Sequence, residues 1–199
     1  MKRPASDVAF SPSVKAVQAE RGSRAAYARM EARGGFHPAV DDDLREFLAR
    51  VDTAFLATAS ADGQPYVQHR GGPKGFIRAL DDRTLAILDL AGNRQYVTTG
   101  NLRENDRYCL LLFDYLERQR IKVWGTAQAV PVSEQLLRAW GEVDRSARAE
   151  QVLLLTVTAW DANCPKHIPQ KINVDEVEPV VAGLRARVAE LEALLAARP

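Results

Sequence analysis

Two stretches near the middle of the chain carry side chains able to hold a phosphorylated ligand. The first, His69-Arg70-Gly71-Gly72-Pro73-Lys74-Gly75-Phe76, sets two cations among glycines. Glycine lets backbone amides approach a ligand closely, and guanidinium and ammonium groups favour an anion. A plain glycine-rich loop with two solvated cations would read the same way. The second, Gly92-Asn93-Arg94-Gln95-Tyr96-Val97-Thr98-Thr99-Gly100-Asn101-Leu102, follows an apolar run and opens a helical stretch. Free N–H groups at a helix start, beside an arginine and an asparagine, favour a phosphate dianion. An ordinary helix cap with polar decoration is the alternative. Neither stretch has the spacing G-x-G-x-x-G or G-x-x-x-x-G-K, so a phosphate here would be gripped in another way.

A third stretch, Trp160-Asp161-Ala162-Asn163-Cys164-Pro165-Lys166-His167-Ile168-Pro169-Gln170, is dense in capable groups. Trp160 could stack on a substrate, and Lys166 or His167 could pair with an anion or assist proton transfer. These three residues are the substrate-pocket candidates. The competing reading is a proline-rich connection with Trp160 in the core. Three histidines and two cysteines, scattered along the chain, give no metal site, since zinc needs three or four converging ligands. A Cys164–His167 nucleophile has no further support. His37 reads as a surface or loop histidine.

The elements that must position these groups are mainly strands. Phe55 to Ala59, the turn at Asp62-Gly63, and Pro65 to His69 form a hairpin pattern. Phe76 to Leu80 and Thr84 to Leu88, joined at Asp81-Asp82-Arg83, form a second. A helical segment spans Asn93 to Asn101. Tyr108 to Asp114 and Arg120 to Val130 are longer strands, a short helix covers Ser133 to Gly141, and Gln151 to Trp160 is the last strong strand. Many strands with short turns and few helices between them predict an antiparallel barrel or sandwich.

The ends differ from this middle. Ser11-Pro12-Ser13 starts a helix with Val14 and Val17 on one side, and Arg24 to Arg33 forms another. Both carry many charges and are expected to lie over a core rather than build one. Asp41-Asp42-Asp43 caps a third helix whose apolar face is Leu44, Phe47, Leu48 and Val51. At the other end Val177, Val181, Leu184, Val188, Leu191 and Leu195 recur with heptad spacing. A stripe of this length must pack on something, either a partner chain as a coiled coil or its own barrel. The expected organisation is an N-terminal helical extension over residues 1–40, a barrel domain over 41–170 and a C-terminal helix over 171–199.

The chain has 199 residues, 46% of them hydrophobic and 27% charged, with a formal net charge of +1. That balance provides no basic field for nucleic acid, and no run is long enough to span a membrane. The start, Met1-Lys2-Arg3-Pro4 and then Asp7, lacks the apolar stretch of a signal peptide. A cytoplasmic protein with free thiols is the expectation.

The order of the middle pieces resembles the pyridoxamine 5'-phosphate oxidase-like flavin-binding family. The likeness runs through Phe55-Leu56-Ala57-Thr58-Ala59, Asp62 to Gly72, Gly92-Asn93-Arg94, and Asn101 to Asn105. It continues through Leu110 to Asp114 and Arg120 to Ala127. It covers about residues 43–130, and its specificity lies in the order and spacing of the pieces rather than in any one of them. The resemblance implies a mixed α+β chain, mainly β, built on a six-stranded antiparallel split β-barrel with peripheral helices. It further implies a homodimer that holds one FMN at each end of its interface. By position, His69, Arg70, Gly71 and Gly72 would line the flavin, and Asn93 and Arg94 would hold its phosphate. Thr98, Thr99 and Asn101 would add contacts. Arg120, Lys122 and Trp124 would face flavin bound largely by the second chain, and Lys74, Arg120 and Lys122 are the cations that could steady a reduced, anionic ring.

The C-terminal arginine and histidine pattern by which true pyridoxamine phosphate oxidases grip their substrate is not evident. The 160–170 stretch in its place resembles a bacterial subgroup of flavin-nucleotide-binding proteins. The expected activity is FMN-dependent oxidoreduction of a small molecule by two-electron (hydride) transfer, with NAD(P)H as a possible donor. Flavin storage or sensing, or a haem- or deazaflavin-binding barrel, are the alternatives.

Overall fold

A computed structural model describes residues 3–141, 149–163 and 165–197. A short 3-10 turn, Ala5–Val8, precedes helices α1 (Pro12–Glu20), α2 (Arg24–Ala32) and α3 (Asp42–Arg50). Ser11 caps α1 by accepting from the Val14 N–H at 3.3 Å, with Pro12 at the first helical position, where its missing N–H costs nothing. Asp41 caps α3 by accepting from the Leu44 N–H at 3.1 Å. The i, i+3, i+4 spacing then turns Leu44, Phe47 and Leu48 into the sheet,. By contrast α2 has no buried residue and α1 only Gln18.

The sheet consists of β1 (Thr53–Ala59), β2 (Pro65–Gly71), β3 (Ile77–Ala79), β4 (Thr84–Leu90), β5 (Arg107–Asp114), β6 (Gln119–Val130) and β7 (Ala149–Asn163). Helix α4 (Val97–Glu104) lies between β4 and β5, α5 (Glu134–Leu137) between β6 and β7, and α6 (Val174–Ala196) follows β7. All pairings are antiparallel, in the order β2-β1-β5-β6-β7-β4-β3. The expectation of six strands is corrected to seven, because the short β3 pairs with β4 at the sheet edge. The helix expected from Asn93 starts only at Val97, since Arg94 and Tyr96 both take positive φ and break helical continuity.

Alternation of buried and part-buried residues along β1, and along β5 from Tyr108 to Phe113, shows which face meets the core. Leu56, Leu110, Leu112, Val123, Leu153 and Leu155 are fully buried there and join the apolar face of α3. A smaller cluster beneath α5 centres on Trp140, whose indole N–H donates to the Phe76 carbonyl at 2.9 Å. The sheet is strongly curled. Although β2 and β4 lie far apart in strand order, Arg70 on β2 forms an ion pair with Asp89 on β4. Helix α4 fills the gap between the two halves. Thr98 donates to Gln68 at 2.9 Å, Asn101 to Thr58 at 3.0 Å, and Gln151 to Thr99 at 2.7 Å. The result is a split, partly closed barrel.

The longest strands, β6 and β7, stay paired along their length by shifting register between Trp124 and Gly125. A Cβ on Gly125 would fall 1.8 Å from the Thr156 carbonyl oxygen, a backbone atom that cannot step aside. Gly125→Ala should therefore destabilise the fold by about 1–3 kcal/mol or more. Urea denaturation compared with the parent would show the loss as a lower midpoint, and an unchanged midpoint would refute the clash.

Candidate cofactor site

A cleft lies where the curl brings β2, β4 and the α4 entry together. It encloses about 200 Å³ and is lined by Gln68, Arg70, Asp89, Arg94, Thr98, Thr99 and their neighbours. On β2, residues two apart point to one face, so Gln68 and Arg70 both enter the cleft while His69 points to the other side. Arg70 is largely buried and donates to Asp89 and, at 3.3 Å, to Gln68. Its Nε–H is buried and has no hydrogen-bond partner among the described residues. Asp89 also accepts from Gln151 at 2.7 Å, so its carboxylate is already engaged on two sides.

The loop leading into α4 forms the opposite wall. Asn93 turns back to accept from the Gln95 N–H at 3.2 Å. Arg94 and Tyr96 hold φ of 59° and 54°, a region that costs a non-glycine residue roughly 1–3 kcal/mol. The Arg94 Nε donates to the Tyr96 hydroxyl at 3.3 Å, and that hydroxyl donates to Glu150 at 3.4 Å. Tyr96 occupies the cap position of α4 without a side-chain cap, so the helix start, with Thr98 and Thr99 in the cleft wall, has N–H groups that no side chain caps. Two guanidinium groups, two amides, three hydroxyls and an uncapped helix start thus converge on one small volume. This donor set suits a phosphate group. Asp89 is neutralised by Arg70, and Glu150 is an exposed residue of the lining.

Of the residues expected at the site, Arg70, Asn93, Arg94, Thr98 and Thr99 come together in this cleft. Others do not. His69 lies on the outer face of β2, bonded to Thr53 at 3.0 Å and edge-on to Phe55. Gly71 and Gly72 fold against the chain's own backbone: the Gly72 N–H donates to Asp52, and a Cβ on Gly72 would lie 2.7 Å from that of Phe76. The glycine loop is shaped by this tight return and does not line the cleft. Lys74 sits in a second cleft of about 190 Å³ and is ion-paired with Glu176. Asn101 ties α4 to β1 through Thr58.

The β6 residues Arg120, Lys122 and Trp124 are part-buried on the outer face of the sheet. The Trp124 ring is stacked on Phe36 at 5.4 Å between centroids, so the N-terminal extension covers it. Arg120 keeps a buried Nε–H with no partner among the described residues. Cys109 lies opposite Trp124 on β5, and burial pushes its thiol up, against a smaller downward pull from Lys122. It is poorly suited to act as a nucleophile at neutral pH.

The 160–170 stretch requires correction. Trp160 is 3% exposed, donates its indole N–H to the Ala39 carbonyl and stacks on His37 at 3.9 Å. Its ring is a core group and lines neither cleft. Lys166 and His167 are exposed and also line neither cleft. The chain beyond them runs along the β5–β6 turn, where Arg118 holds the Ile168 carbonyl and Gln170 the Leu116 carbonyl. His37 is more than a loop histidine, since it bridges Trp160 through both backbone groups. Cys164 lies outside the described residues.

Sequence reading missed Gln68, Asp89, Tyr96, Glu150 and Gln151. Alternation along β2 places Gln68 beside Arg70 and could have found it. Asp89 interrupts an apolar strand, which is a usable signal. Glu150 and Gln151 reach the site only through the β4–β7 pairing, and nothing local marks them.

Among solved structures the chain is similar to HupZ of Group A Streptococcus. The TM-score is 0.50 and the identity 17%, covering 67% of this chain and 99% of that one. It is also similar to an FMN-binding protein from Syntrophomonas wolfei, with a TM-score of 0.45, 12% identity, and coverage of 73% and 97%. At these identities the HupZ likeness speaks to the fold alone. No curated protein matches. The family model described as pyridoxamine 5'-phosphate oxidase matches residues 40–164, which spans all seven strands and the cleft. The chain belongs to the pyridoxamine 5'-phosphate oxidase family.

Proposed function

We propose that this chain is an FMN-dependent oxidoreductase acting on a small molecule, with the cofactor's phosphate held in the Arg70–Arg94 cleft. The observation that carries the reading is the convergence of those two arginines with Asn93, Thr98, Thr99 and the uncapped start of α4. Family membership supports a flavin as the ligand. When bound, FMN supplies the two-electron redox chemistry, with a nicotinamide cofactor as a candidate donor. The protein's part is to bind and orient. Arg94 and the helix N–H groups would neutralise the phosphate, while Arg70, fixed by Asp89 and Gln68, would hold the wall against which the ligand lies.

A cleft of about 200 Å³ is smaller than the roughly 300 Å³ of a complete small-molecule site. It suits the phosphate end and leaves the ring system outside it. A second copy of the chain is the proposed second wall. The outer face of β2, β1 and β5 presents Val67, Phe55, Leu111 and Phe113 only part-buried or exposed, and an apolar sheet face of this kind calls for cover. Homodimer formation through it would bring Arg120, with its unpartnered Nε–H, and Lys122 near the ring bound by the other copy.

FMN titration followed by absorbance or fluorescence tests the site. Arg94→Ala should weaken binding by about tenfold or more, since hydrogen bonds to charged groups contribute about 1.5–3 kcal/mol. Unchanged affinity would remove Arg94 from the phosphate site. Glu150→Gln removes a negative charge from the lining and should tighten FMN binding severalfold at low salt, an effect that fades as salt screens it. Anaerobic addition of NADH or NADPH, followed by a candidate acceptor, should bleach and restore the flavin bands. A bound flavin that resists every physiological reductant would leave storage or sensing as the function.

A further inference from the structure

Helix α6 runs for 23 residues and buries none of them. Its named ties to the barrel lie at its root, where Lys74 pairs with Glu176 and the Asn173 amide donates to Asp52 at 2.9 Å. Beyond that point Val180, Leu184, Val188, Leu191, Leu194 and Leu195 are between 43% and 63% exposed. Most helical stability in proteins comes from packing an amphipathic face, and Pro179 interrupts the hydrogen-bond ladder within this helix,.

The stripe has the order of a two-stranded coiled coil. With Val181, Val188 and Leu195 at a, the d positions are Val177, Leu184 and Leu191. Val181 and Val188 at a with Leu184 and Leu191 at d give the combination that favours two parallel strands, while Val177 at d and Leu195 at a depart from it,. The flanking charges fit the same arrangement. Arg187 falls at g and Glu192 at the e position of the next heptad, so in a parallel, in-register pair each Arg187 faces Glu192 of the second copy, twice over by symmetry,. Within one helix Arg187 pairs with Glu190 in an exposed i, i+3 contact at 2.6 Å. The opposite side of the helix carries Ala182, Gly183, Ala186, Ala189 and Ala193. These small residues leave the a/d stripe as the dominant apolar face.

We infer that α6 pairs with α6 of a second copy of this chain as a parallel, in-register, two-stranded coiled coil. The inference does not depend on flavin binding or on pairing of the barrels, because its evidence lies wholly within the helix.

Disulfide trapping in the full-length protein, with Cys109→Ala and Cys164→Ser in the background, tests it. Val181→Cys and Val188→Cys, both at a, should each give covalent homodimers at least tenfold faster than Ala186→Cys, which faces away from the seam. Equal or negligible trapping at all three positions would overturn the pairing, including the case in which the helix is covered by another protein. Trapping between a Val181→Cys chain and a Leu191→Cys chain that exceeds each variant with itself would show an antiparallel pair, in which a meets d, and overturn the parallel one. Arg187→Glu should slow trapping at Val188→Cys severalfold, and adding Glu192→Arg should restore it. Failure of that rescue would remove the proposed register. Should the parent protein fail to bind FMN in the titration while trapping at Val181→Cys and Val188→Cys persists, the helix pairing would stand and the flavin reading would fall.

Discussion

The ion pair between Arg70 and Asp89 joins two strands that are five places apart in the sheet order, and the site depends on that closure. Burying a guanidinium–carboxylate pair gains little stability on its own, because desolvation offsets most of the attraction. Here the pair is embedded in further bonds, with Gln68 and Gln151 on either side and Thr98 and Thr99 of α4 bonded to those amides. The curl of the sheet, the seat of α4 and the shape of the cleft are therefore one arrangement. Loss of either charge would leave the other buried without its partner, which costs far more than the pair contributes.

The apolar interior and the polar split divide the work. Leucines and valines of β1, β5, β6 and β7 with the α3 face account for the core, and directional bonds fix what the core leaves open. Among the described residues two surfaces stay partly or wholly uncovered: the outer face of β2-β1-β5, and the stripe of α6. The N-terminal extension covers a neighbouring patch, where Phe10, Phe36 and Trp124 pack ring on ring. That extension adds almost no buried area through its helices. Its contribution comes from residues that flank those helices, Phe10 before α1 and Phe36 after α2.

Much of the fold was legible because the β1–β2 and β5–β6 hairpins have alternating patterns and short turns, which are local signals. The β3 strand, only three residues long, was read too long at both ends because Phe76 and Leu80 continue its apolar run into the turns. Half of the cleft was legible too, since Asn93, Arg94, Thr98 and Thr99 share one loop and helix start. The other half comes from β2, β4 and β7, and only pairing partners set by the whole sheet bring Gln68, Asp89 and Gln151 to the same place. Trp160 was misleading for a physical reason. An indole N–H that finds a backbone carbonyl, here that of Ala39, lets a tryptophan sit in a core while its neighbours in sequence remain polar.

The left-handed backbone at Arg94 and Tyr96 sets conformational ease against charge. Glycine or asparagine at either position would relax the main chain and raise thermal tolerance. Each such exchange would also strip a guanidinium or a hydroxyl from the wall of the cleft. An engineer selecting only for heat resistance would drift toward a sturdier barrel that had surrendered its anion-gripping loop.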